Sequence, residues 1–168
     1  MNEPDTDWQA WYDRHGRALL LFARQFTSSL AQAEDAMHDG FLRFWKRREQ
    51  VDEPLAYLYR AVRSAALDQR RAAGRREARE LSLAQTDRPA TPEPWQHAAK
   101  DEGEQQLRDA LASVPEAQRE LLVMKVWGGL TFDQIADATD SPRSTAAARY
   151  SAALKALRET MQTEEPTR

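Results

Sequence analysis

Apolar residues recur at the three- and four-residue spacing of a helix along most of the chain, and no segment shows the strict alternation typical of a strand. This spacing predicts five helices before residue 128, over about 7–26, 32–48, 54–74, 104–112 and 116–127. Glycine and proline lie mostly at the junctions between these segments, where they end helices. The pattern therefore predicts an all-α fold.

The composition changes between Leu81 and Gly103. Pro89, Pro92 and Pro94 stand there among polar residues, and few of the side chains are apolar. Such a segment cannot bury enough apolar surface to fold by itself, and it is typical of a flexible linker. We therefore predict two small helical domains on a tether. The predicted boundaries are a first domain over 1–80, a linker over 81–103, a second domain over 104–162 and a polar tail over 163–168.

The segment 130–158 is the most informative part of the chain, because it predicts two helices joined by a tight turn. Thr131 and Gln134 have the spacing of a capping box, in which each side chain accepts a hydrogen bond from the other residue's backbone N–H. Ser141 suits the N-cap of the next helix, and Pro142 suits its first helical position. A connection of three or four residues between two such helices matches the helix-turn-helix motif.

The second of these helices begins with the polar residues Arg143, Ser144 and Thr145, which are side chains that a recognition helix presents to bases and phosphates. Its middle is rich in alanine, whose methyl group makes no hydrogen bond to a base. Modest sequence selectivity is therefore expected of this helix. The alternative is that the two helices pack as part of a plain bundle with no role in DNA binding.

The formal net charge is −3, which argues against a generally basic nucleic-acid-binding protein, but the charge is unevenly distributed. Residues 60–79 contain seven arginines and two acidic residues. Such an excess of like charge repels itself unless a polyanion binds, so it predicts a nucleic-acid surface. The alternative is a solvated helix face. A second basic cluster closes the preceding helix, where it also complements the helix dipole, at Arg43, Lys46, Arg47 and Arg48.

Other functional classes are disfavoured by the residues available. The chain has no cysteine, which excludes disulfides, cysteine-ligated zinc and thiol catalysis. His15, His38 and His97 are too scattered for a metal site, and no Ser-His-Asp or phosphate-loop pattern is present, so we expect no enzyme, no cofactor and no metal. The longest apolar run, 18–23, is too short for a bilayer, and the acidic N-terminus is unlike a secretory signal. We expect a cytoplasmic protein without membrane insertion.

Four motifs, in order along the chain, resemble those of the extracytoplasmic-function (ECF) class of the sigma-70 family of bacterial RNA polymerase sigma factors. Two lie in the first predicted domain, over 33–45 (AEDAMHDGFLRFW) and 57–71 (YLYRAVRSAALDQRR). Two lie in the second, over 114–120 (VPEAQRE) and over 129–136, which leads into the helix-turn-helix at the family's spacing. Each motif alone is weak evidence, and the four in this order are strong evidence.

The resemblance implies a two-domain factor without a catalytic site that binds core RNA polymerase, recognises two elements of promoter DNA and helps to open the duplex. Polymerase binding is implied for Asp35, His38, Asp39 and Arg43. Contacts to the minus-ten element, with a flipped base held by the loop over 47–53, are implied for Arg47, Arg60, Arg63, Ser64, Arg70 and Arg71. Contacts to the minus-thirty-five element are implied for Arg143, Ser144, Thr145, Arg149 and Lys155. An anti-sigma factor is implied as a further partner.

The chain departs from the family pattern at several positions. His38 stands where the family usually has glutamine, Ser64 where it has asparagine and Tyr57 where it has tryptophan. Asp140 stands where the turn usually has glycine, and aspartate can still make that turn because it tolerates the left-handed conformation better than most residues. Phe41 also belongs to the first motif, and we expect it, like Trp45, to lie in the core.

Two further functions fit the same residues. A stand-alone helix-turn-helix regulator would use the same C-terminal helices, and it would be distinguished by a stable dimer and palindromic half-sites. A sigma-like protein-binding module, such as a decoy or an anti-sigma target without promoter activity, would fit the acidic net charge and the alanine-rich second helix of the motif.

Overall fold

The computed structural model describes residues 8–83 and 102–163. Within these two ranges the chain forms seven α-helices and one short 3-10 helix, and none of these residues lies in a strand. The predicted all-α fold is confirmed. The chain divides into two compact units, Met1–Pro94 and Trp95–Arg168, which are treated separately below.

The first unit contains helices α1 (Trp8–Ala23), α2 (Leu30–Arg47) and α3 (Pro54–Leu83), with the 3-10 helix Arg48–Gln50 between α2 and α3. Helix α2 begins two residues earlier than predicted, because Ser29 is its N-cap. The Ser29 hydroxyl accepts a hydrogen bond from the Gln32 backbone N–H at 3.2 Å.

Helix α3 is longer than the sequence predicted, since it continues past Gly74 to Leu83. A glycine in an exposed helix costs only about 1 kcal/mol relative to alanine. The residues after Gly74 are mostly good helix formers, which offset this cost. The predicted fraying after Gly74 is therefore wrong.

The core of the first unit lies between α2 and α3 and is closed by α1. Its largest fully buried side chains are Leu19, Phe22, Phe41, Phe44, Leu58, Tyr59 and Val62. Helices α2 and α3 approach closely at Gly40, where a Cβ atom would lie 2.8 Å from both the Cα and the backbone N of Val62. Real Cβ atoms do not approach backbone so closely, so this helix crossing requires a glycine.

Burial shifts the pKa of two groups in this core. Burial raises the pKa of the Tyr59 phenol above its usual range, and its hydroxyl has no hydrogen-bond partner among the described residues. His15 packs on the Trp11 ring at a centroid distance of 5.0 Å, and burial, with a smaller contribution from Arg14, lowers its pKa. Both shifts favour the neutral form of the group, as burial does for ionisable side chains.

The second unit contains helices α4 (Glu102–Ser113), α5 (Glu116–Val126), α6 (Phe132–Thr139) and α7 (Arg143–Thr163). Helix α7 packs on the other three. Its Ala153 is buried with Leu111 of α4 and Leu122 of α5. The core of this unit also contains four fully buried side chains from α5, α6 and the segment between them, Leu121, Met124, Leu130 and Ile135.

The predicted linker over 81–103 lies only partly within the described residues. Residues 81–83 are the end of α3 and residues 102–103 are the start of α4, while residues 84–101 lie outside the described ranges. Of the predicted tail over 163–168, Thr163 ends α7 and the remainder lies outside them.

Candidate nucleic-acid and polymerase interfaces

The outer face of α3 carries three of the residues predicted to contact the minus-ten element. Arg60, Ser64 and Arg71 are spaced by four and seven residues, which places them on one face of a helix. All three are exposed, and they lie opposite the buried Leu58 and Val62. The core therefore fixes the direction in which this polar face points.

The other three predicted minus-ten residues flank that face or lie before it. Arg63 is half-buried on α3, with its guanidinium carbon 5.7 Å from the centroid of the Phe26 ring. Arg70 is exposed one residue before Arg71. Arg47 is exposed at the last residue of α2, next to the 3-10 helix.

The segment that the resemblance associates with a flipped base is stabilised by Arg48. Its Nη1 donates a hydrogen bond to the Trp45 carbonyl at 2.6 Å, and its guanidinium lies 4.2 Å from the centroid of the Trp45 ring. The Trp45 ring in turn meets Trp8 at 5.4 Å. Phe41 is fully buried as predicted, whereas Trp45 is half-buried.

The residues predicted to bind polymerase lie on the outer side of α2. Asp35, His38 and Arg43 are exposed and Asp39 is half-buried. The exposed Leu42 lies among them, and it was not predicted as a contact residue because the residues that the resemblance assigns to polymerase binding are all polar. An exposed leucine between charged residues gives this face an apolar component.

A chain of ion pairs joins this side of α2 to the outer face of α3. Arg43 Nη2 lies 2.7 Å from Asp39 Oδ2 and 3.9 Å from Asp68 Oδ2, and Arg71 Nη2 lies 3.4 Å from Asp68 Oδ1. Asp68 therefore stands between a predicted polymerase-binding arginine and a predicted DNA-binding arginine. The pairs within each helix are visible as sequence spacing, but the contact of Asp68 with Arg43 requires the packed structure.

The helix-turn-helix prediction is confirmed at its first helix and its turn. The Thr131 hydroxyl accepts from the Gln134 backbone N–H at 3.2 Å, and Gln134 Oε1 accepts from the Thr131 backbone N–H at 3.0 Å. Asp140 ends α6 in the left-handed conformation, with φ 50° and ψ 49°. Its backbone N–H points back at the α6 carbonyls, so the turn is made as the sequence analysis expected.

The start of α7 differs from the prediction by one residue. The helix begins at Arg143. The first hydrogen bond of the helix runs from the Ala146 backbone N–H to the Pro142 carbonyl, at 3.0 Å. Pro142 therefore occupies the N-cap position rather than the first helical position. The Ser141 hydroxyl lies 2.8 Å from the Thr139 hydroxyl, which links the two sides of the turn.

The exposed side of α7 carries most of the residues predicted to contact the minus-thirty-five element. Ser144 and Lys155 share its solvent face, Arg143 and Arg149 are exposed on its flanks, and Thr145 is half-buried. The structure adds the exposed Ser151 to this face. Two of the alanines have a different role, because their side chains are fully buried and support the helix, at Ala146 and Ala153.

Four contacts join α6 to α7 and to the end of α5. Arg143 Nε lies 3.2 Å from Asp133 Oδ1, and both side chains are exposed. Phe132 meets Tyr150 of α7 at a ring-centroid distance of 5.5 Å. Lys125 Nζ lies 4.9 Å from the centroid of the Phe132 ring and donates to the Leu130 carbonyl at 3.0 Å. The helix-turn-helix is thus attached to α5 through aromatic and polar contacts as well as its buried core.

Within residues 8–83 and 102–163, no group of histidine, cysteine, aspartate and glutamate side chains is arranged to hold a metal ion. None of the helices in these ranges combines the length and apolar character that a membrane span needs.

Each of the two units matches a model of a known protein family. Residues 11–76 match the model described as Sigma-70 region 2, and residues 104–157 match the one described as Sigma-70, region 4. The ECF RNA polymerase sigma factor SigL of Mycobacterium tuberculosis is 30% identical over 163 residues, covering 92% of this chain and 88% of the relative. The probable RNA polymerase sigma factor RfaY of Xanthomonas campestris is 29% identical over 125 residues, covering 70% of this chain and 31% of that protein.

Two solved structures share the fold. The sigma factor RpoE from Bartonella quintana, in complex with the anti-sigma factor NepR, matches with a TM-score of 0.68 and 22% identity over 95% of this chain and 99% of that one. CnrH, in complex with the cytosolic domain of CnrY, matches with a TM-score of 0.61 and 19% identity over 94% of this chain and 89% of that one.

Proposed function

The chain belongs to the ECF class of the sigma-70 family of RNA polymerase sigma factors, and from this membership we propose which of its surfaces meet polymerase and promoter DNA. It acts as a sigma factor in transcription initiation, directing core polymerase to promoters. Sigma factors are non-enzymatic initiation factors, and we propose that this chain likewise carries no catalytic site. The observation that supports the surfaces most directly is the row of exposed polar residues on α3, held opposite a well-packed core.

The outer side of α2 is the proposed polymerase-binding surface. Asp35 supplies an exposed negative charge, Leu42 an exposed apolar side chain and His38 an exposed polar ring. An apolar centre with charged surroundings is the usual composition of a protein interface. Asp39 and Arg43 form an ion pair. We propose that this pair fixes the positions of the two side chains on the surface and that both also contact polymerase.

Reversing the charge of Asp35 tests this surface. Asp35→Lys is expected to lower the affinity for core polymerase about tenfold, because it would bring like charges together in the interface. The matched control is Glu34→Lys, which makes the same charge change on an exposed residue of the same helix, about 100° around its axis. Binding is measured by titrating fluorescently labelled protein with core polymerase. Equal losses in both variants would show that total charge matters and that the surface is misplaced.

The outer face of α3 is the proposed minus-ten surface. Arg60 and Arg71 would hold phosphates of the non-template strand, and Ser64 lies between them within reach of the same strand. Taking a base out of the stack costs a few kcal/mol, which contacts to the pocket and the phosphates must offset. We propose that the 3-10 helix Arg48–Gln50 forms one side of the pocket that holds the flipped base. The stacking of the Arg48 guanidinium on the Trp45 ring holds this helix in place.

Helix α7 is the proposed reader of the minus-thirty-five element in the major groove. Arg143 and Ser144 lie at its N-terminal end, which is the part of a recognition helix that reaches base edges. Arg149 and Lys155 would contact phosphates further along. Because the exposed alanines of the helix make no hydrogen bonds, most of the affinity here is proposed to be electrostatic.

The ion pair of Arg143 with Asp133 is proposed to weaken this DNA contact. Asp133→Asn would release the guanidinium and remove a negative charge facing the phosphates, so the polymerase–sigma complex is expected to bind promoter DNA about threefold more tightly. Asp13→Asn removes the same charge from the other unit and is the control. Filter binding at several salt concentrations provides the measurement. Weaker promoter binding by Asp133→Asn would mean that the carboxylate orients Arg143 productively.

Two weak DNA readers on one chain gain affinity from each other, because binding of one raises the local concentration of DNA at the other. We propose that polymerase sets the distance between them, so that neither unit needs a strongly basic composition. An anti-sigma factor is proposed as a further partner, since the two solved structures of similar fold are complexes, one of them with a named anti-sigma factor.

One experiment tests the whole assignment. The tagged protein is used to capture bacterial core RNA polymerase, and the complex is then used in run-off transcription on a genomic fragment library. Capture with new, discrete start sites is the expected result, and it supplies the promoter sequence for the variants above. Capture without transcription would indicate a decoy or a missing activator. No capture, together with tight specific DNA binding by the free protein, would favour a stand-alone regulator.

A further inference from the structure

The last third of α3 is unlike the rest of the helix, because no other element in residues 8–83 covers it. Residues 74–83 are all exposed, and a Cβ atom added at Gly74 would meet nothing within 4 Å. By contrast, Leu58, Val62 and Ala65 earlier in the helix are buried. This end of α3 is therefore a helix whose side chains are available on every side.

The charges on this exposed segment are unevenly distributed around the helix, with Arg76 between the arginine row and the acidic residues. Arg71, Arg75 and Arg79 follow each other at four-residue intervals and continue the face that carries Arg60 and Ser64. The acidic residues of the segment, Glu77 and Glu80, lie roughly 100–200° around the axis from Arg75 and Arg79, at 100° per residue. The arginine stripe thus extends the proposed minus-ten surface beyond the part of the helix that the core supports.

We infer that this stripe binds the phosphates of double-stranded DNA on the upstream side of the minus-ten element, without reading its sequence. The inference rests on the proposed function, since it assumes that the face of Arg60 meets promoter DNA. Arginine forms paired hydrogen bonds with phosphate and keeps its charge at any physiological pH. The distance along the helix from Arg71 to Arg79 is about 12 Å, which corresponds to roughly three to four base pairs of duplex.

The composition of the segment favours duplex over single-stranded DNA. Proteins that hold single strands stack the bases on aromatic side chains, and residues 71–83 contain none. The small residues Ala72, Ala78 and Gly74 lie among the arginines instead, which allows the helix to come close to a phosphate backbone. An acidic protein surface is the competing partner, and the test below distinguishes it.

The test uses the complex of the full chain with core polymerase and a promoter found by the run-off experiment. Arg75→Gln and Arg79→Gln are each expected to lower promoter affinity about threefold, and together about tenfold. Each is expected to reduce the salt dependence of binding by about one released counterion. Arg17→Gln removes the same charge from an exposed position of α1, outside the stripe. It is the matched control, with an expected change of less than about twofold.

A second DNA substrate identifies the partner. On a forked fragment with a single-stranded minus-ten element and no upstream duplex, the variants are expected to bind as tightly as the unmodified protein. A loss that persists on this fragment would overturn the inference in favour of a single-strand or protein contact. Equal effects of Arg75→Gln and Arg17→Gln would also overturn it. If the unmodified complex binds no promoter, the proposed function fails instead, so the two failures are distinguishable. Circular dichroism checks that α3 stays helical.

Discussion

Replacing Gly40 with alanine is expected to destabilise the first helical unit by about 3 kcal/mol, the upper end of the usual cost of overpacking. The new Cβ atom would lie 2.8 Å from the backbone N and Cα of Val62, and backbone atoms cannot move aside as a flexible side chain can. Helices α2 and α3 would have to separate, which would open the packing around Phe41 and Leu58. For a unit of this size the midpoint of thermal unfolding would fall by more than about 10 °C.

The matched control is the same substitution at Gly74. That glycine lies in α3, is exposed and has open space where the Cβ atom would go. Gly74→Ala is therefore expected to be neutral or to stabilise α3 by up to about 1 kcal/mol, through helix propensity alone. Hydrogen exchange followed by mass spectrometry measures both variants, because it reports α2 and α3 separately from α5 and α6. If Gly40→Ala left the protection of α2 unchanged, the close crossing at Val62 would be wrong.

The sequence predicted the helices well because their apolar spacing and their caps are local properties. The capping box of Thr131 and Gln134 and the left-handed turn at Asp140 both involve residues within one turn of each other, and both are present. The length of α3 was predicted wrongly because Gly74 was given too much weight as a helix breaker. Its cost is small when good helix formers follow it.

The candidate surfaces were predicted less completely, because they depend on contacts between helices. Nothing in the sequence indicates that Asp68 lies near Arg43, since the two residues are 25 positions apart and meet only when α2 packs on α3. The exposed Leu42 and Ser151 were not predicted either, because the exposure of a helical residue depends on which neighbouring helices cover it. The role of Gly40 likewise depends on the position of the Val62 backbone.

The ion-pair chain through Asp68 gives the first unit a physical link between its two proposed surfaces. Each pair is exposed and is worth about 1 kcal/mol or less, so the chain contributes little to stability. It does place Arg71 beside a carboxylate that DNA phosphates must displace. Asp68 therefore contacts one side chain of each proposed surface.

The largest functional effect is expected from removing two arginines on the outer face of α3 together. Arg60→Gln with Arg71→Gln is expected to lower run-off transcription and promoter affinity of the polymerase–sigma complex about 30- to 100-fold. Each lost charge-assisted contact is worth about 1–1.5 kcal/mol, and 1.4 kcal/mol corresponds to a factor of ten. The salt dependence of binding should also fall by about two released counterions.

Three measurements make this result specific to DNA binding. Capture of core polymerase by the double variant is expected to be unchanged, because the proposed polymerase surface lies on α2. The control is Arg14→Gln with Arg17→Gln, which removes the same charge from exposed positions of α1 and should leave transcription within about twofold. A promoter whose minus-ten region is already unpaired should recover part of the transcription, since we propose that the arginines help to open the duplex as well as to hold the strand. Equal losses in the α1 and α3 variants would show that overall charge, and not the face of α3, determines promoter binding.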